Sequence, residues 1–170
     1  MFKVGDIIIY DQHGACLVEE IVEKTTPSGE ERTYYALVPK FRKYSRIFCP
    51  IDNTKVKMRH AISKAAANKL IDSMPSIKEP YKKIPDMKQL EKYYGELLAT
   101  QIPEDLVRIT SFIHEKKLAC EKMNKKLGSI DVRARDKAED LLFGELAVAL
   151  GIERGDVQDY ISKRLEKTSS

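Results

Sequence analysis

The side chains able to do covalent or metal chemistry are few, and their spacing argues against it. The three histidines are His13, His60 and His114, and the three cysteines are Cys16, Cys49 and Cys120. No two cysteines form a CxxC pair, which removes zinc-finger and thioredoxin-like sites. The histidines have no ligand-like spacing. His13 precedes Gly14, and a His-Gly pair at a strand turn is explained by backbone geometry. No phosphate-binding glycine loop, nucleophile elbow or metal-ligand cluster occurs. The expectation is a protein that is not an enzyme, takes no cofactor, metal or small-molecule substrate, and keeps reduced, partly buried thiols.

Charge is more informative. The net charge is only +4, too little for bulk coating of nucleic acid, but its distribution is uneven. Lys116, Lys117, Lys122, Lys125, Lys126, Arg133, Arg135 and Lys137 face only Glu121, Asp131 and Asp136 over residues 116–137, leaving +5. Residues 138–159 carry six acids against Arg154, leaving −5. A short basic belt beside an acidic one suits local phosphate contact at one edge, or else a mixed solvated helix surface.

These residues must be held by two kinds of element. The first sixty residues read as β-structure. Ile7 to Tyr10, Ala15 to Val22, Arg32 to Val38, Tyr44 to Phe48 and Thr54 to Met58 are short runs at roughly ten-residue spacing, separated by turn residues such as Thr26 to Glu31. Such a pattern predicts a small antiparallel barrel. Ser63 is placed to cap a helix from Lys64 to Ser73. Pro75, Pro80 and Pro85 then mark a linker or elbow, since proline lacks an amide donor and disfavours helix before it.

From Asp86 the pattern is helical. Leu90, Tyr93, Tyr94, Leu97 and Leu98 form one apolar stripe. Pro103, with Glu104 and Asp105, opens a second helix along Leu106, Ile109, Ile113, Lys117 and Cys120. Gly128-Ser129 is read as ending it and starting a third, along Ala134, Ala138, Leu141, Leu142, Leu146 and Ala149, which Gly151 stops. Val157, Tyr160, Ile161 and Leu165 mark a final short helix. The predicted class is α+β in two domains: a β-barrel over 1–60, a helix and proline-containing linker over 61–85, and an all-α bundle over 86–167. No apolar run approaches the roughly 20 residues that span a bilayer, and Met1 to Asp6 lack a signal-peptide layout. A cytoplasmic location without membrane contact is expected.

The opening run from Phe2 to Gly14 (FKVGDIIIYDQHG) resembles the start of the CarD/CdnL family of bacterial transcription regulators. The likeness continues through Val18-Glu19-Glu20-Ile21, Tyr35, Pro50 and Asn53 to Arg59, and returns in the segment from Arg135 to Leu150. The resemblance implies a Tudor/SH3-like barrel that binds the RNA polymerase β subunit by extending a β-sheet, a domain shared with the transcription-repair coupling factor. Backbone pairing at a sheet edge supplies affinity there and flanking side chains supply specificity. Lys24 matches one of the family's basic contact positions. The second falls at Phe48, which is not basic; Arg46, two residues earlier, points to the same strand face by alternation.

The resemblance also implies that the helical domain contacts promoter DNA at the upstream edge of the melted bubble, without reading sequence, and stabilises the open complex. A tryptophan at the start of the domain's first helix serves the family as a minor-groove wedge. This chain has no tryptophan, and that position falls at Met87. Either Met87 makes a weaker wedge or phosphate contacts replace it. Lys88 and Lys92 lie beside Met87, one helical turn apart, and Arg133 and Lys137 share that spacing. Lys125 and Lys126 precede the third helix. Such cations give affinity without sequence reading. The alternative is an adaptor whose barrel holds polymerase while its helices bind another protein.

Overall fold

A computed structural model of the protein describes residues 1–43 and 45–169. The chain divides into two compact units, Met1–Ile62 and Ser63–Ser170. The expected order, an antiparallel β unit followed by an all-helical one, is the order found. Among the described residues no helix is long and apolar enough to cross a membrane.

In the first unit, β1 (Ile7–Tyr10), β2 (Gly14–Thr25), β3 (Glu31–Pro39), β4 (Ile47–Pro50) and β5 (Met58–His60) form one antiparallel sheet in the order β4-β3-β2-β1-β5. The second strand runs three residues past its predicted end, because the β2–β3 ladder continues to Thr25 opposite Glu31. The turn between them is held by Thr26, whose N–H donates to the Glu30 carbonyl at 2.7 Å while its carbonyl accepts from Gly29 N–H at 2.9 Å. Gly29 has φ +87°, a conformation in which a Cβ is strained.

Two strand predictions shift. The run expected from Tyr44 to Phe48 is β4 at Ile47–Pro50, and Tyr44 lies outside the described residues. The strand expected from Thr54 to Met58 is instead a turn leading into β5. The Asn53 side chain takes over that backbone: Oδ1 accepts from Lys55 N–H at 3.0 Å, and Nδ2 donates to the Val56 carbonyl at 2.9 Å. A local amide cap of this kind competes with ladder pairing.

The sheet's edges are β4 and β5, yet Cys49 Sγ on β4 lies 3.8 Å from Sδ of Met58, the first residue of β5. The sheet therefore curls until side chains from its two edges meet. The core inside the curl is Ile8, Cys16, Val18, Tyr35, Leu37 and Cys49. Burial pushes the Cys16 thiol up to about 11 and raises that of Cys49 as well.

The second unit contains α1 (Lys64–Ser73), α2 (Met87–Ala99), α3 (Pro103–Lys122), α4 (Ser129–Leu150) and α5 (Val157–Thr168). Ser63 caps α1 as expected, its Oγ accepting from Ala66 N–H at 3.1 Å. The 61–85 segment begins with the helix expected from Lys64 to Ser73. Helix α1 buries Ala67, Leu70 and Ile71 within the helical unit, and Asn68 accepts from Tyr160 Oη of α5 at 2.7 Å. After the prolines, Tyr81 packs edge-on against Phe112 of α3, with ring centroids 5.6 Å apart.

Helix α4 is the centre of this unit, touching α1, α2, α3 and α5. Its Ala134, Ala138, Leu142 and Leu146 are buried as the stripe predicts. Leu141 and Ala149 are only half-buried. Gly151 ends it at φ +67°, with Ile152 N–H returning to the Ala147 carbonyl at 3.1 Å. Helix α3 stops six residues before the predicted Gly128. Asn124 takes a left-handed conformation (φ 52°), and Lys125 N–H closes on the Cys120 carbonyl at 2.8 Å. Asparagine is tolerated there because its short polar side chain eases the strain. Lys117, placed on the buried stripe from sequence, is exposed, while Phe112 takes the central position with Tyr81, Tyr93 and Tyr94 around it.

Candidate polymerase-binding and nucleic-acid surfaces

On the sheet, Lys24, Arg46 and Phe48 come together on one side. The register sets Phe48 opposite Ala36 and Ala36 opposite Glu20. Cross-strand partners share a face, and so do residues two apart. Lys24 of β2 stretches over Phe48, its Nζ 3.1 Å from the ring centroid. A cation–π contact at an exposed site contributes about 0.5–1 kcal/mol and holds the ammonium against the edge strand. Phe48 is 38 % exposed, an aromatic left uncovered on an edge.

Arg46 is differently placed. It pairs with Glu19, and its second nitrogen lies 3.7 Å from Glu20. Glu19 is the extra residue of a bulge, where the β2–β3 register slips between Val18 and Glu20. The bulge sets two carboxylates side by side, so Arg46 is more than neutralised; Lys24 shares this side with its cross-strand partner Arg32, which lies 3.7 Å from Glu30. Strand β4 offers its backbone. Ile51 N–H donates to the Thr33 carbonyl at 3.1 Å, so by alternation Cys49 and Ile47 face β3 while Phe48 faces outward. Pro50 lacks an N–H, which is tolerated on an edge strand.

In the helical unit, Asp86 caps α2, its Oδ1 accepting from Lys88 N–H at 2.7 Å and Gln89 N–H at 3.3 Å. Met87 is thus the first residue of a capped helix, and it is 70 % exposed. Lys88 and Lys92 are exposed on the same helix, Lys92 reaching Glu96 at 3.8 Å. Arg133 of α4 lies 3.8 Å from Glu91 of α2. The Glu91–Arg133 pair sets Arg133 about one helical turn from Met87 and Lys88, while Lys92 pairs with Glu96 along α2. Lys137 follows one turn along α4 and is half-buried.

Lys125 and Lys126 are exposed in the loop between α3 and α4. Leu98, Tyr94 and Glu91 of α2 border Ile130, Ala134 and Arg133 of α4 around one shallow groove. The Glu91–Arg133 pair and the 2.6 Å bond from Tyr94 to Asp131 join the same two helices. The loop carrying Lys125 and Lys126 follows the C-terminal end of α3, the far end of that helix from its three-residue connection to α2.

Sequence reading missed a buried polar cluster that sets this geometry. Tyr94 Oη donates to Asp131 Oδ1 at 2.6 Å, and Lys116 Nζ lies 2.9 and 2.8 Å from the two carboxylate oxygens. Asp131 is 2 % exposed. Burial, and then the Asp131 carboxylate, hold the Tyr94 hydroxyl well above its ordinary range. Helices α2, α3 and α4 each contribute one member. The signal was present: Asp131 stands three and seven residues before Ala134 and Ala138, and Lys116 stands three and seven after Ile113 and Ile109. Both occupy apolar-stripe positions, where a charge must find a partner. Lys116 therefore leaves the basic belt. Among the described residues no group of histidine, cysteine or carboxylate side chains could hold a metal ion.

Residues 2–62 match the family model described as the CarD-like/TRCF RID domain. The match spans the whole sheet unit, including Lys24, Arg46 and Phe48.

Proposed function

We propose that the protein, whose residues 2–62 match the CarD-like/TRCF RID domain family model, is a transcription regulator that docks on the polymerase β subunit and contacts promoter DNA with its helices. Edge strand β4 adds to a sheet of the β subunit through its outward backbone groups, and Lys24 over Phe48 provides a cation and an aromatic anchor beside it. The helical unit rests on the upstream edge of the melted bubble. Met87, projecting from the capped start of α2, fills space against unstacked bases, while Lys88, Lys92 and Arg133 meet phosphates.

No bond is made or broken in this reading. A factor that binds the open complex more tightly than the closed one shifts the equilibrium by that difference, about tenfold for 1.4 kcal/mol. The observation that carries the reading is the conjunction, on one chain, of a polymerase-interacting domain with an exposed edge patch and a helical unit with an exposed apolar residue among cations. The test is open-complex lifetime with polymerase and promoter, with and without the full chain, beside capture of the β subunit. Addition of the chain lengthens the lifetime, and Lys24→Glu weakens capture while leaving the sheet folded. Unchanged lifetime together with unchanged capture refutes the reading.

One observation favours the adaptor alternative. A cleft of about 560 Å³ opens among α3, α4 and α5, lined by Val107, Leu142, Phe143 and Ile161 together with Lys117, Arg135 and Glu139. That volume and mixed lining suit an amphipathic segment of a partner protein. An adaptor would capture the β subunit and leave open-complex lifetime unchanged, which separates the two.

A further inference from the structure

We infer that the cleft among α3, α4 and α5 is a binding site for a small amphipathic monoanion, a medium-chain carboxylate, with its charged head at Lys117 and Arg135 and its tail against Val107, Leu142, Phe143 and Ile161. This goes beyond the polymerase and DNA reading above and does not rest on it.

Three helical stripes build the cleft. On α3, Val107, Thr110, Ser111, His114 and Lys117 follow a three-and-four spacing. On α4, Arg135, Glu139, Leu142 and Phe143 do the same, and Gln158 and Ile161 stand three apart on α5. That spacing puts each set on one side of its helix. The fold leaves Phe143 and Ile161 only half-buried, so apolar surface stays uncovered there.

The two ends of the cleft differ in chemistry. The Lys116–Asp131 ion pair, at 2.8 Å, stands beside the short loop that joins α3 to α4. Lys117 and Arg135 therefore mark the loop end, with His114 and Glu139 one turn further in. Val107 is ten residues back along α3 and Phe143 eight residues on along α4, which puts the far end about 12–15 Å away at 1.5 Å per residue. That end is apolar, and the Thr110 hydroxyl beside it is spent on the Val107 carbonyl at 2.8 Å.

The head end is cationic. Lys117 Nζ makes only a loose pair with Glu121, at 3.9 Å. Arg135 gives Nε and Nη2 to the neighbouring Asp136, and Nη1 lies outside that contact. Of the groups that line the cleft, Lys117 and Arg135 face the single acid Glu139, leaving one net positive charge. An ammonium and a guanidinium on two helices match the two oxygens of one carboxylate, and the His114 ring supplies a further donor. A volume of about 560 Å³ is that of a small-molecule site, and the length matches a tail of about ten carbons. An extended peptide would bring backbone amides that the apolar end cannot satisfy, and a helix about 10 Å across overfills it. An alkyl chain has neither problem.

The full chain is titrated with decanoate, decanol, butyrate and decylammonium, each below its aggregating concentration, and followed by NMR of amides and methyl groups. Decanoate gives saturable shifts confined to the cleft, at Val107, Leu142 and Ile161 among others, and raises the unfolding midpoint of the helical unit. Butyrate gives none. Octanoate binds about tenfold more weakly, through loss of two buried methylenes. Lys117→Gln with Arg135→Gln weakens decanoate about tenfold and leaves decanol unchanged. Ser111→Trp fills the cleft from the α3 wall and abolishes decanoate binding. Shifts spread over both units, decylammonium bound as tightly as decanoate, or full binding by both variants overturn the inference. Co-sedimentation with phosphatidylglycerol vesicles in place of saturable decanoate binding also overturns it. Neither polymerase nor DNA enters these titrations, so their failure leaves the regulator reading standing.

Discussion

Asp131→Ala is the substitution through which the helical unit's architecture is most exposed to test. It removes an acceptor 2.6 Å from Tyr94 Oη and 2.8 Å from Lys116 Nζ. The Lys116 side chain is only 17 % exposed, so its ammonium has little water to turn to. Breaking a buried ion pair by deleting one partner costs about 3–5 kcal/mol, because the remaining charge stays uncompensated. The orphaned tyrosine hydroxyl adds to this, though not additively. About 4 kcal/mol is expected in total, which for a unit of this size lowers Tm by about 15–25 °C. Lys116→Met alone should cost about 2–3 kcal/mol, since Asp131 keeps its tyrosine donor. The pair Asp131→Asn with Lys116→Met removes both charges and leaves an acceptor for Tyr94, so it should cost about 1–2 kcal/mol, less than Asp131→Asn alone and Lys116→Met alone added together. Calorimetry gives the Tm values, and hydrogen exchange at α4 amides assigns the loss to the helical unit. A cost below about 1 kcal/mol for Asp131→Ala, or strict additivity in the cycle, refutes a buried, coupled cluster.

Other outcomes follow from the same geometry. Burial holds Cys16 up at about 11, and burial with a Cys49 contact holds Tyr10 up at about 12, from ordinary values of 9.0 and 10.0. The unfolded chain ionises first, so the sheet unit keeps its stability below pH 9 and loses it as pH rises toward 11–12. Urea midpoints from pH 8 upward should fall, Cys16→Ala should remove the first part of that fall, and a flat profile refutes the burial. Ser63→Ala loses the 3.1 Å cap on Ala66 N–H and should destabilise α1 by about 1 kcal/mol, read by hydrogen exchange across that helix. Met87→Trp presents a larger stacking surface at the exposed start of α2 and should lengthen open-complex lifetime with no change in unfolding midpoint. An unaltered lifetime removes Met87 from the bubble edge.

Much of the fold was legible because its signals are local. Ser63 and Asp86 are side-chain caps and Gly151 is a left-handed stop, and each acts within one turn of its helix. The stripes through Leu90 and Tyr94, and through Ala134, Ala138, Leu142 and Leu146, are periodic and therefore visible in sequence. The errors fell where two local signals compete. Gly128-Ser129 looks like a helix end and start, yet Asn124 ends α3 earlier because its left-handed conformation closes the return bonds first. Asn53 likewise displaces a strand from Thr54 to Met58, because its side chain satisfies the backbone that a ladder would have used.

The candidate surfaces were less legible, because charge in sequence is not charge on a surface. The belt from Lys116 to Lys137 sums to +5, but the fold spends it unevenly. Lys116 is consumed by Asp131 in the interior, Arg133 faces Glu91, and Lys117 lies near Glu121. What remains uncompensated is the loop with Lys122, Lys125 and Lys126, together with Lys88 on α2. On the sheet the redistribution runs the same way: the bulge at Glu19 turns two carboxylates onto Arg46 and leaves Lys24 to Phe48. A coulombic partner in the chain competes with any external phosphate or carboxylate for the same cation, and a pair must be broken before the cation binds elsewhere. Arginines already engaged therefore contribute less to a partner than free lysines of equal charge. Lys24, Lys88 and the loop lysines are the positions where charge reversal should alter binding most, and Arg46 and Arg133 are those where it should alter the protein's own surface first.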